Sequence, residues 1–395
     1  MMCFVKYLFC RRRGTAEAYV KGDIFMQYRE LAGEKVSVLG FGLMRLPVQD
    51  GDPAKINKEK TYEMIQYAID NGVNYFDNAY VYHNEASEKI AGEILDEHGL
   101  RDKVKLATKL PTWKVKSEDD VTRLLDEQLE RYRTDHIDFY LCHALDKDRF
   151  DNIILKYNVL PILEKAKAEG KIRHIGFSFH DDLDTFKRII DSYDKWEFCQ
   201  IQLNYINTEY QSGIEGLEYA ASKGLGVIIM EPLLGGKLAA PSPQVKKELP
   251  DTKTPVEWAF DFLWNRPEVR TTLSGMGAIE QVKENIAYAD KAAAGMLSAD
   301  ELSVLAAAKK VFDVMALVPC TKCGYCMPCP FGLDIPGIYE AYNQMPVIGS
   351  DKAKEMYRKF EKKADACKKC KSCERICPQG IETSKLMPQI AKALG

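Results

Sequence analysis

The sequence predicts a closed parallel (β/α)8 barrel of the TIM class, followed by a small, mostly α-helical domain. Three observations carry this expectation. From Val36 onward, short apolar runs rich in Val, Ile, Phe and Tyr alternate with stretches of helical amphipathic spacing, the rhythm of a parallel sheet with crossover helices. The 395 residues fit one barrel of about 250 residues plus an appendage better than several ordinary domains. Most of the 12 cysteines fall in two short runs near the C-terminus.

The strands are expected at residues 39–41, 74–76, 104–108, 137–141, 172–177, 198–203, 226–230 and 269–273. The helices between them are expected at 58–71, 86–98, 118–132, 152–169, 181–193, 214–223, 255–265 and 279–290. Several end at a residue followed by glycine, as in Asn71-Gly72, His98-Gly99, Glu169-Gly170 and Lys223-Gly224, where glycine can take the left-handed cap conformation. An open doubly wound sheet is the alternative. It lacks its signature here, since Gly40-Phe41-Gly42 is too short for the glycine-rich turn that cradles a pyrophosphate. A further helix, 299–314, leads to Pro319 and the first cysteine run, which places a domain boundary near Ala316. The chain therefore divides into residues 1–25, 26–315 and 316–395.

Composition is that of a water-soluble globular chain, with 46% hydrophobic and 29% charged residues and a net charge of -3. No basic excess argues for nucleic acid. No run approaches the roughly 20 apolar residues that span a bilayer. Residues 1–25 put their apolar run ahead of Arg11, Arg12 and Arg13, the reverse of a signal peptide, and read as a poorly ordered extension or a misassigned start with Met26 the initiator. Cysteines at metal-ligand spacing point to a reducing compartment, hence the cytoplasm.

The second cysteine run, Cys367, Cys370, Cys373 and Cys377 followed by Pro378, has the spacing of bacterial ferredoxins, in which the fourth cysteine ligates the other cluster. The first, Cys320, Cys323, Cys326 and Cys329 followed by Pro330, is one residue shorter before its last cysteine. Two 4Fe-4S clusters in a ferredoxin-like iron-sulfur domain are expected. With swapped fourth ligands, Cys320, Cys323 and Cys326 join Cys377, while Cys367, Cys370 and Cys373 join Cys329. Zinc is the competing reading, but zinc sites use separated cysteine pairs. Cys3, Cys10, Cys142 and Cys199 show no grouping and read as small apolar side chains. The basic stretch 352–371 reads as a solvated helix face, or as a docking patch for an acidic redox protein.

Parallel barrels do their chemistry at the C-terminal ends of their strands. Titratable groups stand there: Asp77 and, five residues on, Tyr82 after the second strand, Lys109 at the end of the third, and Cys142-His143 at the end of the fourth. Taken singly, each could be a cap or a loop residue, and Tyr80 and His83 compete with Tyr82. Together with Gly40-Phe41-Gly42-Leu43-Met44-Arg45 and Tyr75-Phe76-Asp77-Asn78-Ala79, they make residues 26–315 resemble the aldo-keto reductases, here of the type with a C-terminal 4Fe-4S domain.

That resemblance implies a catalytic tetrad of Asp77, Tyr82, Lys109 and His143. Reducing a carbonyl by hydride builds negative charge on its oxygen, which a proton donor can stabilise and then neutralise. Tyr82 would be that acid, Lys109 held by Asp77 would lower its pKa, and His143 would orient the carbonyl. The resemblance also implies NAD(H) or NADP(H) contacts at Gly42, Met44, Ser178, Gln200, Met230, Glu284 and Asn285. Met230 stands where relatives stack an aromatic ring on the nicotinamide, and Phe179 replaces an asparagine. Gly275, Met276 and Gln281 stand where many relatives hold a 2'-phosphate with cations, which leans the expectation toward NADH, with Lys283 the cation nearest in sequence.

The function expected is NAD(P)H-dependent hydride transfer to or from a small carbonyl or alcohol, coupled to the clusters and open to a redox protein partner. Hydride carries two electrons and a cluster takes one, so a mediator such as a flavin is missing from the sequence. Two other readings stand beside it: a carbonyl reductase with purely structural clusters, and a non-catalytic electron carrier or docking protein on a barrel scaffold. The loops that would choose a substrate, 80–87, 110–117, 144–152 and 234–250, carry Trp113 and no acidic-substrate anchor beyond Lys147 and Arg149.

Overall fold

The computed structural model describes residues 25–315 and 317–395. The expectations for residues 1–24, with Cys3 and Cys10, and for Ala316 lie outside the described residues. Eight parallel strands close into a barrel: β3 (Leu39–Gly42), β4 (Tyr75–Asp77), β5 (Lys105–Leu110), β6 (Ile137–Leu145), β7 (Ile172–Phe179), β8 (Phe198–Gln202), β9 (Gly226–Met230) and β10 (Val269–Ser274), with β10 pairing both β9 and β3. Each is nearly continuous in buried residues, as strands covered on both faces must be.

A hairpin precedes the barrel, β1 (Tyr28–Leu31) and β2 (Glu34–Ser37), turned by Ala32 and Gly33, both at positive φ. Two positive-φ residues make the tight turn that suits the twist of antiparallel strands. Leu31 and Val36 pack with Tyr75, Phe139, Phe198, Ile228 and Leu273, which fill the barrel interior, so the hairpin stoppers the end opposite the strand C-termini. At Gly226 a Cβ would lie 2.2 Å from Leu31 Cδ1, so a larger residue there would push the stopper out. The sequence hid this hairpin because each strand is four residues long and Ala-Gly is a weak turn signal.

Most helices fall where the periodicity puts them; Glu118–Tyr132 coincides at both ends. One expectation fails. The helix read at 152–169 is a π-helical turn, Phe150–Leu155, followed by Val159–Ala168, because Asn158 sits in the left-handed region at φ 47 and breaks the ladder. The helix read from 181 begins at Leu183, where the Asp182 side chain accepts a hydrogen bond from the Thr185 backbone N–H. A short helix, Pro243–Glu248, was hidden inside the long loop after β9.

Residues 317–395 form a second, separate core in which Val318, Leu333, Ile338, Tyr339, Tyr357 and Ile390 pack with the half-buried cysteines. Its helices are Ile335–Asn343, Met345–Ile348, Ser350–Arg358 and Thr383–Leu394. The basic stretch lies partly on the third of these and partly on the loop that follows. Among the described residues no helix is long and apolar enough to cross a membrane.

Candidate active site

At the C-terminal end of the strands, β3 through β10 converge on a cavity of about 420 Å³. Asp77 ends β4 and Lys109 is the next-to-last residue of β5, both buried. The Lys109 ammonium donates to both Asp77 oxygens at 2.7 and 2.8 Å and to the Asn78 carbonyl at 2.6 Å. Burial pushes the Asp77 carboxyl up and the Lys109 ammonium down, and the mutual contact opposes both. Such a pair is held by geometry, since either charge alone would be costly at that depth.

Tyr82 follows β4 on a turn in which His83, Asn84 and Glu85 all take positive φ. The turn aims Tyr82 into the cavity and removes its rivals. The Tyr80 hydroxyl donates to Glu127 at 2.9 Å, with Arg131 and Lys114 against its ring. His83 accepts from the Leu46 N–H at 3.1 Å and faces the Pro53 carbonyl at 3.0 Å. Lys109 Nζ lies 5.2 Å from the Tyr82 ring centroid. The resemblance has this lysine lower the Tyr82 pKa; other influences act on the phenol as well. Burial pushes the phenol well above its ordinary value, and Tyr325, Asp77 and Glu231 push it the same way.

His143 sits where β6 runs four residues past its expected end and its register against β7 shifts between Cys142 and Leu145. Ala144 takes φ 53 there, so the irregularity turns His143 toward the cavity. The backbone beside it is fixed twice: Thr112 Oγ1 donates to the His143 carbonyl at 3.0 Å, and the Ala144 N–H donates to Ser178 Oγ at 2.7 Å. Burial, together with the Lys109, His180 and Arg149 charges, holds the His143 imidazole well below its ordinary pKa, so it is neutral at pH 7. Trp113 packs against it at 5.1 Å between ring centroids.

Every residue read from the sequence as a cofactor contact lines this same cavity: Gly42, Met44, Ser178, Gln200, Met230, Glu284 and Asn285. Gln200 Nε2 lies 3.5 Å from the Met230 sulfur, and its carbonyl oxygen is buried without a partner. An orphaned acceptor beside the Ser178 hydroxyl fits the carboxamide of a nicotinamide. Asn285 Nδ2 donates to Ser274 Oγ at 3.0 Å. A Cβ at Gly42 would lie 3.3 Å from the Ser274 carbonyl, a tight contact that glycine avoids at that wall of the cavity. Phe179 packs instead in an aromatic group with Phe177 and Phe186, and His180 takes the next place on the cavity wall.

The cations are distributed differently from the linear reading. Gln281 accepts from the Gly277 N–H at 2.8 Å, and Lys283 stacks over Tyr67 away from the cavity. Arg45, however, lies across Gly275, where a Cβ would meet its side chain at 3.2 Å. The Arg45 side chain thus runs along the very segment that lacks cations of its own, and lines the same cavity. Lys147 pairs with Asp151 and Arg149 with Asp146, so neither is a free substrate anchor.

The cavity has a roof that the spacing of cysteines did not disclose. Cys323, Tyr325 and Pro378 of the C-terminal domain line it. Gln379 Nε2 donates to Gln202 at 3.0 Å, the Tyr210 hydroxyl to the Gln379 carbonyl at 2.7 Å, and Gln211 to the Pro378 carbonyl at 2.8 Å. Glu231, just past β9, accepts from Thr321 and Gln379 at 3.3 Å each. Burial raises the Glu231 carboxyl to about 7. Glu231, Tyr325 and His180 were the residues missed. Glu231 and His180, each just past a strand, carried a sequence signal, and Tyr325 did not.

The cysteine runs surround their own space. Cys320, Cys323, Cys326, Cys373 and Cys377 line a cavity with Tyr339 and Gln379. Among the described residues, no three His, Cys, Asp or Glu side chains are grouped at the distance of a single ion. Both runs wrap alike: Lys322 and Gly324 in one, Lys369 and Lys371 in the other, take positive φ at matching places. In the second run that wrapping turns the Lys369 backbone N–H toward the Cys367 sulfur at 3.5 Å. Elsewhere, burial pushes the Cys142 thiol up to about 12 and Cys199 higher still, so both are inert packing groups.

Comparison with known proteins agrees with this anatomy. Residues 38–251 match the model of the aldo/keto reductase family, and residues 316–381 match that of a 4Fe-4S dicluster domain. The chain is 29% identical over 277 residues to L-galactose dehydrogenase of Arabidopsis thaliana, covering 65% of this chain and 85% of that one. It is 29% identical over 240 residues to 6-dehydroglucose reductase of Novosphingobium aromaticivorans, covering 57% and 74%. Its fold matches an aldo-keto reductase of Bacillus halodurans with a TM-score of 0.59 at 23% identity, over 72% of this chain and 96% of that one. The match to an aldo-keto reductase from Klebsiella pneumoniae in complex with NADPH has a TM-score of 0.58 at 22% identity, over 71% and 94%. This chain belongs to the aldo/keto reductase family, as an NAD(P)-dependent oxidoreductase that carries a 4Fe-4S dicluster domain on its barrel.

Proposed function

We propose that the barrel transfers hydride between NAD(P)H and a small carbonyl or alcohol, with Tyr82 as the acid/base. The observation that carries this reading is the meeting of Tyr82, Lys109, Asp77 and His143 with the nicotinamide-side residues in one cavity. A nicotinamide bound there supplies the hydride or takes it up. In the direction of reduction, Tyr82 holds a proton over the whole neutral range and can give it to the carbonyl oxygen as charge develops there. Neutral His143 can hydrogen-bond that oxygen without competing for the proton. The Asp77-Lys109 pair provides a positive end near the phenol, and its benefit grows as the oxyanion forms.

Gln200 and Ser178 would hold the carboxamide, Glu284 and Asn285 the adenine side, and Arg45 a phosphate. Arg45, whose side chain lies along Gly275, offers a cation beside residues 275–281, which carry none, so NADH and NADPH are both to be tried. Enclosure by the roof favours small substrates, and the two relatives named for sugar chemistry make hydroxylated carbonyls the first compounds to try.

The same proposal places two 4Fe-4S clusters in residues 317–395. Cys320, Cys323 and Cys326 share a cavity with both Cys377 and Cys373; the ferredoxin-type spacing assigns Cys377 to these three and leaves Cys367, Cys370 and Cys373 to Cys329. The first cluster adjoins the barrel mouth through Cys323. At the second, Cys370 is exposed among Lys368, Lys369 and Lys371, also exposed, where an acidic redox protein would dock. Thiol-ligated clusters suit a reducing cytoplasm.

Steady-state reduction of a panel of small aldehydes and hydroxylated carbonyls, with NADH and with NADPH, tests the reading in the anaerobically purified protein. Tyr82→Phe is expected to lower kcat by roughly 10²- to 10⁴-fold with cofactor binding retained. A Tyr82→Phe variant as active as the parent would leave the barrel as a scaffold for electron transfer.

A further inference from the structure

We propose that Arg131, on the helix Glu118–Tyr132 outside the barrel wall, is a positioning residue for Tyr82. The inference rests on the reading of Tyr82 as the acid/base and adds to it a residue that does not line the cavity. Arg131 is only 8% exposed, and its guanidinium is divided over the segment that carries Tyr82. One terminal nitrogen donates to Glu88 at 3.0 Å, and the other to Glu85 at 3.0 Å and to Glu127 at 2.7 Å. The guanidinium carbon lies 3.8 Å from the Tyr80 ring centroid. Arg131 thus grips residues 80, 85 and 88, on both sides of Tyr82 in the chain.

The turn that aims Tyr82 needs holding from outside. His83, Asn84 and Glu85 lie at φ 54, 52 and 70, a run of left-handed residues whose backbone strain persists only where surrounding contacts fix it. Those contacts come from two flanks. On one, His83 is tied to Leu46 and faces Pro53. On the other, Glu85 is held by Arg131 and by Lys114, the latter at 2.7 Å. Lys114 also lies over the Tyr80 ring at 4.1 Å, and its neighbour Trp113 packs on His143. The Glu88 arm reaches farther. Glu88 is fully buried and also accepts from Thr108 and Gln128 at 2.6 Å each, while Gln128 donates to the Lys109 carbonyl at 3.1 Å. One guanidinium therefore fixes the turn of Tyr82 and, through Glu88 and Gln128, the backbone of Lys109. Its planar fork can span two carboxylates at once, which an ammonium cannot. A small displacement of the phenol is felt in the transition state more than in binding, so the contact should act on kcat.

The test compares Arg131→Met, Arg131→Lys and Glu85→Met with the parent, each also in the Tyr82→Phe background, as full chains purified anaerobically. For Arg131→Met the expected result is a kcat lower by roughly 10- to 100-fold, with KM and the NAD(P)H dissociation constant within about twofold. Arg131→Lys keeps the charge without the fork and should recover only part of that loss. Glu85→Met changes a side chain that is 40% exposed, breaks only the outer arm, and should lower kcat by roughly three- to tenfold. In the Tyr82→Phe background each of these changes should cost no more than about twofold further, because the group they position is already gone. Losses of equal size in both backgrounds mean general damage and overturn the inference. Unchanged kcat in Arg131→Met and Glu85→Met, with Tyr82→Phe inactive, also overturns it and leaves the function standing. If Arg131→Met does not fold, Arg131→Lys and Glu85→Met decide by the same comparison. A Tyr82→Phe variant as active as the parent overturns both the inference and the function on which it rests.

Discussion

The Asp77-Lys109 pair shows what a single residue must withstand at this site. Both side chains are buried, and three hydrogen bonds from one ammonium replace its lost hydration. Lys109→Met would leave Asp77 charged with no partner, and a loss of about 3–5 kcal/mol in denaturant unfolding is expected, beyond any loss of activity. Glu231 works in the other sense. Its folded pKa, about 7, lies above that of an unfolded carboxyl, so the folded state binds the proton more tightly. Its stabilising contribution is full below the unfolded value and is lost as pH rises through 7. Glu231→Gln keeps an oxygen for Thr321 and Gln379 and cannot ionise. Relative to the parent it should gain stability at pH 8, with an upper bound of about 3 kcal/mol, and gain nothing at pH 4.5, as thermal unfolding at the two values would show. At this scale the sequence was legible where residue type met strand end: Asp77, Tyr82, Lys109 and His143. It was silent on Tyr325, because the spacing of cysteines says where ligands lie and nothing about which way the residue between them points.

Elements decide which of those side chains can meet. The left-handed turn at His83–Glu85, the irregularity at Ala144 in β6 and the turn at Gly235 each set a side chain's direction by backbone conformation, which no hydrophobic period encodes. Gly235 is the joint between barrel and roof. It sits at φ 66, and a Cβ there would come within 2.2 Å of the Thr321 carbonyl. Gly235→Val is expected to lift the roof, lowering kcat/KM roughly tenfold or more while leaving the barrel's far-UV circular dichroism unchanged. The same reasoning explains the fold-level misses. Eight strands and their helices announced themselves through burial on both faces and helical spacing. The β1-β2 hairpin did not, since short strands joined by Ala-Gly carry almost no periodicity. Nor did the break at Asn158, where one left-handed residue divides an amphipathic run that otherwise reads as continuous.

For the whole molecule, what matters is that two separate cores share one cavity. The barrel packs around its own strands and the C-terminal domain around Tyr339, Tyr357 and Ile390, yet the roof of the hydride site belongs to the second. The sequence could assign each module from its own motifs, but no motif spans the boundary, so their relation was invisible. That relation narrows the mismatch between two-electron hydride and one-electron clusters to a defined place, the Cys323-Tyr325 segment above Tyr82. It also makes a spatial claim open to direct spectroscopy. Electron paramagnetic resonance of the dithionite-reduced, fully loaded protein, recorded with and without saturating NAD+ or NADP+, reads the surroundings of both proposed clusters at once. The expected result is that cofactor binding shifts the signal of one cluster, the one that Cys320→Ser perturbs, and leaves the other unchanged. Superimposable spectra at a cofactor concentration shown by fluorescence to fill the barrel would contradict an inner cluster seated over the hydride site.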